Sequence, residues 1–150
     1  HLKTIQMNYG KAPFFAEIFP EFAEVINSHE GSISELNMAI NRFICDGFGI
    51  NPRIVKSSDL NITTSREERV IDICLKMGGT EYLSGNGARV YQTEEHFTEK
   101  GLILSYLDYS PIEYNQLWPK VGFLPCMSAI DYIFNCGFDW ETVEEKVRQK

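Results

Sequence analysis

The stretch Glu81–Tyr91, with the sequence EYLSGNGARVY, carries the strongest fold signal in this chain. It predicts a short strand that runs into a glycine-containing turn and then into a helix. Such a turn presents free backbone N–H groups at a helix N-terminus, where the helix dipole also favours an anion. Gly85 and Gly87 would let the backbone approach a ligand closely because they have no Cβ, and Arg89 would add a forked donor. The stretch therefore predicts an α/β fold with an anion-binding turn.

The segments on either side of this stretch alternate between strand and helix patterns. Short strands are predicted near residues 53–56, 80–84 and 102–107, and a capping-box pattern of Ser65 and Glu68 begins the first intervening helix. Strands that alternate with helices favour right-handed crossovers and a parallel sheet. The predicted fold class is therefore α/β, with a small three-stranded parallel sheet flanked by helices. Because parallel sheets are usually larger and covered on both faces, this sheet is predicted to be part of a larger one in the full protein.

The first third of the chain is predicted to be helical. Apolar residues recur at spacings of three and four within 15–26, where Pro20 predicts a kink or two abutting helices. A capping box of Ser32 and Glu35 begins the next helix, and Asp139 is predicted to cap the last one, which is predicted to bury Trp140. The chain is thus predicted to be a single domain of 150 residues. Its parts are a helical segment 1–50, a β-α-β-α-β-α unit 51–137 and a C-terminal helix 138–150.

Composition limits the function classes. The net charge of −7 argues against nucleic-acid binding, which requires a basic surface. The apolar runs are much shorter than the roughly 20 residues of a membrane-spanning helix, so no membrane span is predicted. The four cysteines show no C-x-x-C spacing, which predicts reduced core residues in a cytoplasmic protein and no metal site.

Small polar residues follow the predicted strands. In an open α/β sheet, ligands bind beyond the carboxyl ends of parallel strands, so these residues are predicted to share one edge. The alternative is that they only terminate strands and cap helices. The candidate ligand-binding residues of this edge are Ser57, Ser58, Ser84, Gly85, Asn86, Gly87, Arg89 and Tyr91.

A long loop, residues 108–125, adds Tyr114 and Gln116 to the candidate ligand-binding residues. Tyrosine stacks on sugars or bases and Gln116 can both donate and accept, although the same residues could simply pin the loop to the core. Asp131, in an otherwise apolar helical stretch, is either a structural acceptor or a site carboxylate. Because His29 and His96 lie in exposed patterns, the candidate groups for proton transfer are Asp59, Asp108 and Asp131.

Short sequence blocks across nearly the whole chain resemble the WbqC-like family. The blocks are Tyr9–Phe15, Ser57–Asp59, Arg69, Ile71, Cys74, Tyr82–Tyr91, Phe97, Gly101, Tyr114–Gln116, Phe123–Ser128, Asp131, Asn135 and Gly137. The Gln-Pro-x-Tyr-like opening of that family has no counterpart here, so the chain resembles a C-terminal portion whose partner is the missing N-terminal portion of the same protein.

The resemblance implies a bacterial protein of surface-polysaccharide (O-antigen) biosynthesis. It implies a transferase that moves glycine or another small acyl group to a sugar, with a small anionic or sugar ligand. No cofactor is indicated by the sequence. Two other functions stay open from the residues alone: a non-catalytic module that binds a nucleotide or nucleotide-sugar, and a helical interaction domain.

Overall fold

The computed structural model describes residues 1–107 and 109–148. Contacts group the chain into two compact units, one formed by residues 1–52 and 111–150 and the other by residues 53–110. The helices are α1 (Leu2–Tyr9), α2 (Phe15–Asn27), α3 (Ile33–Gly47), α4 (Arg66–Lys76), α5 (Glu94–Thr98), α6 (Ala129–Cys136) and α7 (Trp140–Arg148). The strands are β1 (Glu81–Gly85) and β2 (Ile103–Leu107). The class is therefore mixed α/β, as the sequence predicts.

The first unit is helical and has an aromatic core. Phe15 and Phe22 of α2 pack against Phe134 of α6, and the rings of Phe22 and Phe134 meet edge to face with centroids 6.0 Å apart. Ile133, next to Phe134, is fully buried. The apolar stripe predicted for α2 is thus the face that forms the core. Pro20 lies inside α2, which continues through it as one helix from Phe15 to Asn27.

Local capping explains where two of these helices begin. Ser32 and Glu35 form the predicted capping box at α3, with Ser32 accepting from the backbone of Glu35 and Glu35 accepting from the backbone of Ser32. At α7, the Asp139 carboxylate accepts a 3.0 Å hydrogen bond from the backbone N–H of Thr142. Both caps satisfy N–H groups that a helix start would otherwise leave unpaired.

The second unit contains a parallel pair of strands. β1 and β2 pair in parallel, with Glu81 opposite Ile103 and Gly85 opposite Leu107. Helices α4 and α5 contribute Ile71, Cys74 and Phe97 to a small core, together with Leu102. The parallel direction predicted for these two strands is confirmed.

The predicted first strand, residues 53–56, is wrong. These residues adopt no regular secondary structure, and the chain then forms a 3-10 helix, Ser57–Leu60. A stretch of four residues has only a local preference for extended backbone, and a strand also needs a partner that completes its hydrogen-bond ladder. Within the described ranges the sheet has two strands, so neither three strands nor a larger sheet is supported.

Two smaller predictions also differ from the structure. Ser65 precedes α4, but its side chain makes no capping hydrogen bond, and Arg66 takes a left-handed conformation with φ of 54°. The Trp140 side chain, predicted to be buried, is 43% exposed.

The four cysteines are free; Cys74 is buried and Cys126 is exposed. Across the described ranges, every helix is too short or too polar to cross a bilayer.

Candidate functional site

The carboxyl ends of β1 and β2 form one edge of the second unit. Because the strands are parallel and in register, Gly85 and Leu107 end side by side. The chain leaves β1 in a 3-10 turn, Asn86–Val90, rather than in an α-helix. Arg89 of that turn is held from two sides: its Nε donates to Oδ1 of Asn86 over 3.1 Å, and its guanidinium lies 4.1 Å from the centre of the Tyr106 ring.

The turn itself is open. A Cβ added to Gly85 or to Gly87 would meet no atom of the described residues within 4 Å, and neither residue has a left-handed φ. Ser84 is buried beneath the turn, whereas Tyr91 is exposed. Residues 85–87 are exposed, so the backbone there is accessible to a ligand, whereas Ala88 is buried.

Residues 57–59 belong to a different local structure from the one predicted. They lie in the exposed 3-10 helix that follows residues 53–56, where the Ser58 hydroxyl donates to the Asp59 carboxylate over 3.3 Å. Because 53–56 is not a strand, Ser57, Ser58 and Asp59 do not terminate one, and the predicted meeting of three strand ends is reduced to two. Asp108, the candidate that follows β2, lies outside the described residues.

A second group of predicted residues meets in the first unit around Asp131, which is only 5% exposed. The Tyr114 hydroxyl donates to Oδ2 of Asp131 over 2.6 Å, and Nε2 of Gln116 donates to the same oxygen over 3.0 Å. Tyr9 of α1 also bonds to this carboxyl group through its hydroxyl. One carboxylate of α6 thus gathers donors from a loop and from another helix.

The tyrosines of this cluster are held in their protonated form. Burial, together with the hydrogen bond to Asp131 and its charge, raises the pKa of Tyr9 to about 12. Burial and the hydrogen bond to Asp131 also raise the pKa of Tyr114, against an opposing effect of the hydrogen bond with Gln116. Near neutral pH both hydroxyl groups therefore act as hydrogen-bond donors to the carboxylate rather than as bases.

Gln116 also shapes the loop that follows it. Its Nε2 donates to the carbonyl of Leu124 over 2.9 Å, and its Oε1 accepts from the Leu124 backbone N–H over 2.8 Å. The side chain therefore imitates a backbone partner and closes residues 116–124 into a fixed loop. The 3-10 turn Pro119–Val121 lies at the tip of this loop.

Between this loop and α1 lies a cavity of about 370 Å³ in the first unit. Asp131 and Tyr9 lie at its polar end, and Asn8 of α1 is exposed at its rim. Trp118 of the loop lines the cavity with 58% of its surface exposed. Such a volume is at the lower end of the range for small-molecule sites, roughly 300–1,000 Å³.

The comparison with known proteins identifies the family. The model of the WbqC-like protein family matches residues 1–142. The chain belongs to this family. It is also 34% identical, over 139 residues, to an uncharacterized protein of Mycobacterium tuberculosis, Rv1507c. The match covers 91% of this chain and 59% of that relative, so the chain spans well under two thirds of the relative's length. No solved structure matches the chain.

This WbqC-like chain divides its predicted site residues between the two units. Ser84, Gly85, Asn86, Gly87, Arg89 and Tyr91 lie in or beside the turn after β1, and Tyr114, Gln116 and Asp131 form the carboxylate cluster. Sequence reasoning missed Asn8, Tyr9 and Trp118 as members of a site. Tyr9 was indicated only as part of the block Tyr9–Phe15 in the family resemblance, and no pattern places it beside a residue 122 positions away. Among the described residues of this family member, no three His, Cys, Asp or Glu side chains are grouped to hold a metal ion.

Proposed function

We propose that this WbqC-like chain is part of a transferase of surface-polysaccharide (O-antigen) biosynthesis, which transfers glycine or another small acyl group to a sugar. Membership of the family supports a polysaccharide-related role. The observation that carries the proposal is the fixed Arg89 at the carboxyl edge of the parallel strand pair. An activated donor with a phosphate or carboxylate is the ligand that such a position suits.

The physical argument for anion binding at this turn has two parts. Arg89 is already held by Asn86 and by the ring of Tyr106, so it loses less side-chain freedom when an anion arrives. Gly85 and Gly87 leave the adjacent backbone uncovered, so N–H groups there can share the anion. The proposed ligand-binding set is therefore the turn 84–91.

For proton transfer, the proposal favours Asp59 and Asp108 over Asp131. A general base must be able to reach the proton that it removes, and Asp59 is exposed. Asp131 is nearly buried and already accepts hydrogen bonds from Tyr114 and Gln116. Its role in the proposal is to hold the loop 116–124 and the polar end of the cavity.

Calorimetry with a panel of nucleotide-sugars and acyl donors tests the proposal. Arg89→Ala is expected to weaken binding of the best ligand by about 1.5–3 kcal/mol, the value of a charge-assisted hydrogen bond. Gly87→Val is expected to abolish binding, because its side chain would occupy the open space above the turn. Asp59→Asn should retain binding but reduce transfer.

Arg53→Ala is a matched control, since Arg53 is another exposed arginine of the same unit and lies before the 3-10 helix. The Arg53→Ala variant should bind the ligand with the same affinity as the unchanged protein. If Arg89→Ala and Gly87→Val both bind the ligand with unchanged affinity, the turn is only a chain reversal and the proposal fails.

A non-catalytic module that binds a nucleotide-sugar is the second candidate. The hydrogen bonds that Asp131 accepts from Tyr114 and Gln116 favour this function. They occupy one of the three carboxylates that were candidates for proton transfer. Turnover separates the two functions: ligand binding at the turn without any transfer that depends on Asp59 would support the module.

We also infer that further chain of the same protein covers the open face of the sheet. Leu83, Ile103 and Leu107 lie on one face of the strand pair, because alternate residues share a face and Leu83 is paired with Ser105. All three are exposed, whereas parallel strands are normally covered on both faces. The M. tuberculosis relative extends well beyond the matched region, so it contains further residues that could cover such a face. Ile103→Lys should therefore lower the melting temperature of the longer protein but leave that of residues 1–150 unchanged.

A further inference from the structure

The cavity of the first unit has an aromatic wall that is not needed by the core. Trp118 lies on the loop 116–124, which Gln116 closes, so the position of its backbone is fixed. The indole is more than half exposed and faces the cavity, where it makes no contribution to the aromatic core of Phe15, Phe22 and Phe134. An exposed indole on a loop whose backbone is held provides a flat apolar platform for a ligand.

The polar end of the cavity contains a carboxyl group, and the described residues that line the cavity include no cationic side chain. Asp131 lines this end, together with Tyr9 and the amide of Gln116. A phosphate would therefore meet an unfavourable potential there, whereas hydroxyl or amine donors would be attracted.

The rim of the cavity carries polar side chains that can form hydrogen bonds with a ligand. Asn8 and Thr4 are neighbouring exposed residues of α1, and the Asn8 amide donates to the Thr4 carbonyl over 2.8 Å. An amide oxygen and a hydroxyl group are common partners for ligand hydroxyls. The cavity thus combines one flat apolar wall, a polar rim and the Asp131 end.

We propose that this cavity binds the non-phosphorylated ring of a sugar. A pyranose has a face of C–H groups, which would lie on Trp118, and a border of hydroxyl groups, which would point to Asn8 and to the Asp131 end. An amino sugar fits the Asp131 end better still, because its ammonium group is a cationic donor. This inference deepens the proposed function. It rests on that function in one respect only: the bound sugar ring is taken to be the group that receives the acyl unit.

The test titrates the full 150-residue chain with three matched probes: glucose, glucosamine and glucose 1-phosphate. A Trp140→Phe variant makes Trp118 the one fluorescent tryptophan, since the chain has two. Glucose and glucosamine are expected to change its emission in a saturable way, with glucosamine binding more tightly. Glucose 1-phosphate is expected to bind at least about tenfold more weakly than glucose, a difference of about 1.4 kcal/mol.

Two variants locate the binding by calorimetry. Trp118→Ala is expected to raise the Kd of glucosamine at least about tenfold. Because Trp118 is exposed and outside the core, the melting temperature of the Trp118→Ala variant should stay close to that of the unchanged protein. Asn8→Ala should raise the Kd by a smaller factor, and Trp140→Phe is the matched control that should bind normally.

Each opposite result overturns the inference. The cavity is not a sugar site if no probe gives a saturable change, if Trp118→Ala binds glucosamine as the control does, or if glucose 1-phosphate binds as tightly as glucose. Arg89→Ala should leave binding of glucosamine unchanged. Loss of phosphate binding at Arg89 and loss of sugar binding at Trp118 are thus separate readouts, so failure of one does not imply failure of the other.

Discussion

Tyr114 donates its hydroxyl hydrogen to Oδ2 of Asp131 over 2.6 Å, and so joins the long loop to α6 across 17 positions of sequence. Gln116 donates to the same oxygen and, through Leu124, closes the loop that carries Trp118. The carboxylate is nearly buried, so its charge depends on these donors for stabilisation. One aspartate therefore fixes both the loop and the polar end of the cavity.

Tyr114→Phe should lower the free energy of unfolding by about 1–3 kcal/mol. The ring is retained, but the buried carboxylate loses a donor, and the desolvation of an incompletely paired group is the main cost. Urea denaturation followed by circular dichroism measures the effect. Tyr132→Phe is the control, because the Tyr132 hydroxyl donates to the exposed residue Asp139 through its backbone carbonyl. Equal losses in the two variants would show that Asp131 does not depend on Tyr114.

Phe22→Ala and Trp140→Ala should differ in stability, although both remove an aromatic ring. Phe22 is buried among the rings of Phe43 and Phe134, so its removal should cost about 3–5 kcal/mol. Trp140 is much more exposed and meets Phe48 at its edge, so its removal should cost clearly less. Chemical denaturation of the two variants checks this order, and a larger loss for Trp140→Ala would contradict the described packing.

Gly47→Ala should destabilise the first unit, whereas Gly87→Ala should not affect stability. A Cβ at Gly47 would lie 2.3–2.4 Å from ring atoms of Phe138, so the ring must move, at a cost of about 1–3 kcal/mol. A Cβ at Gly87 would meet no atom within 4 Å in the part of the chain that the structure describes, so a change within about 0.5 kcal/mol is expected. Thermal melts compare the two variants. Gly87→Val is melted as well, because only an unchanged melting temperature of that variant separates loss of ligand binding from loss of folding.

The second unit should depend on pH through Glu67 and His96. Partial burial opposes ionisation of Glu67, but hydrogen bonds from His96 and from the Thr93 backbone outweigh it and lower its pKa below 4.5. The hydrogen bond to Glu67 raises the pKa of His96 above 6.5, with support from nearby Glu99 and Glu95. The Glu67 contribution is present above pH 4.5 and is lost as pH falls through its lowered pKa. The His96 contribution is present below pH 6.5 and is lost as pH rises through its raised pKa.

The stabilising effect of this pair is therefore complete between about pH 4.5 and 6.5. Melting temperatures of the unchanged protein and of His96→Gln, measured across pH 4 to 9, give the difference directly. That difference should be largest inside the window and should shrink as pH rises above it. A difference that does not vary with pH would show that the His96 charge makes no contribution to stability.

The elements whose signals are local were predictable from the sequence. Ser32 and Glu35 satisfy each other within one helical turn, and Asp139 caps α7 three residues away, so both helix starts were predicted from neighbouring residues. The burial of Phe22 followed from the spacing of apolar residues in α2. The parallel pairing of β1 and β2 followed from the helix between them, because a crossover brings the second strand back in the same direction.

Other features were decided only by partners that are distant in the chain. Residues 53–56 have the composition of a strand, but a ladder requires a neighbouring strand, and none among the described residues pairs with them. The sequence indicated Tyr114, Gln116 and Asp131 as candidates without showing that they share one oxygen. Nothing in the sequence indicated that Trp118 belongs to a site. Trp118 lines a cavity that forms where a loop, α1 and α6 leave space, and the spacing of side chains along the sequence does not predict such a space. Caps and stripes depend on spacing along the chain, whereas the carboxylate cluster and the cavity depend on how packed elements meet.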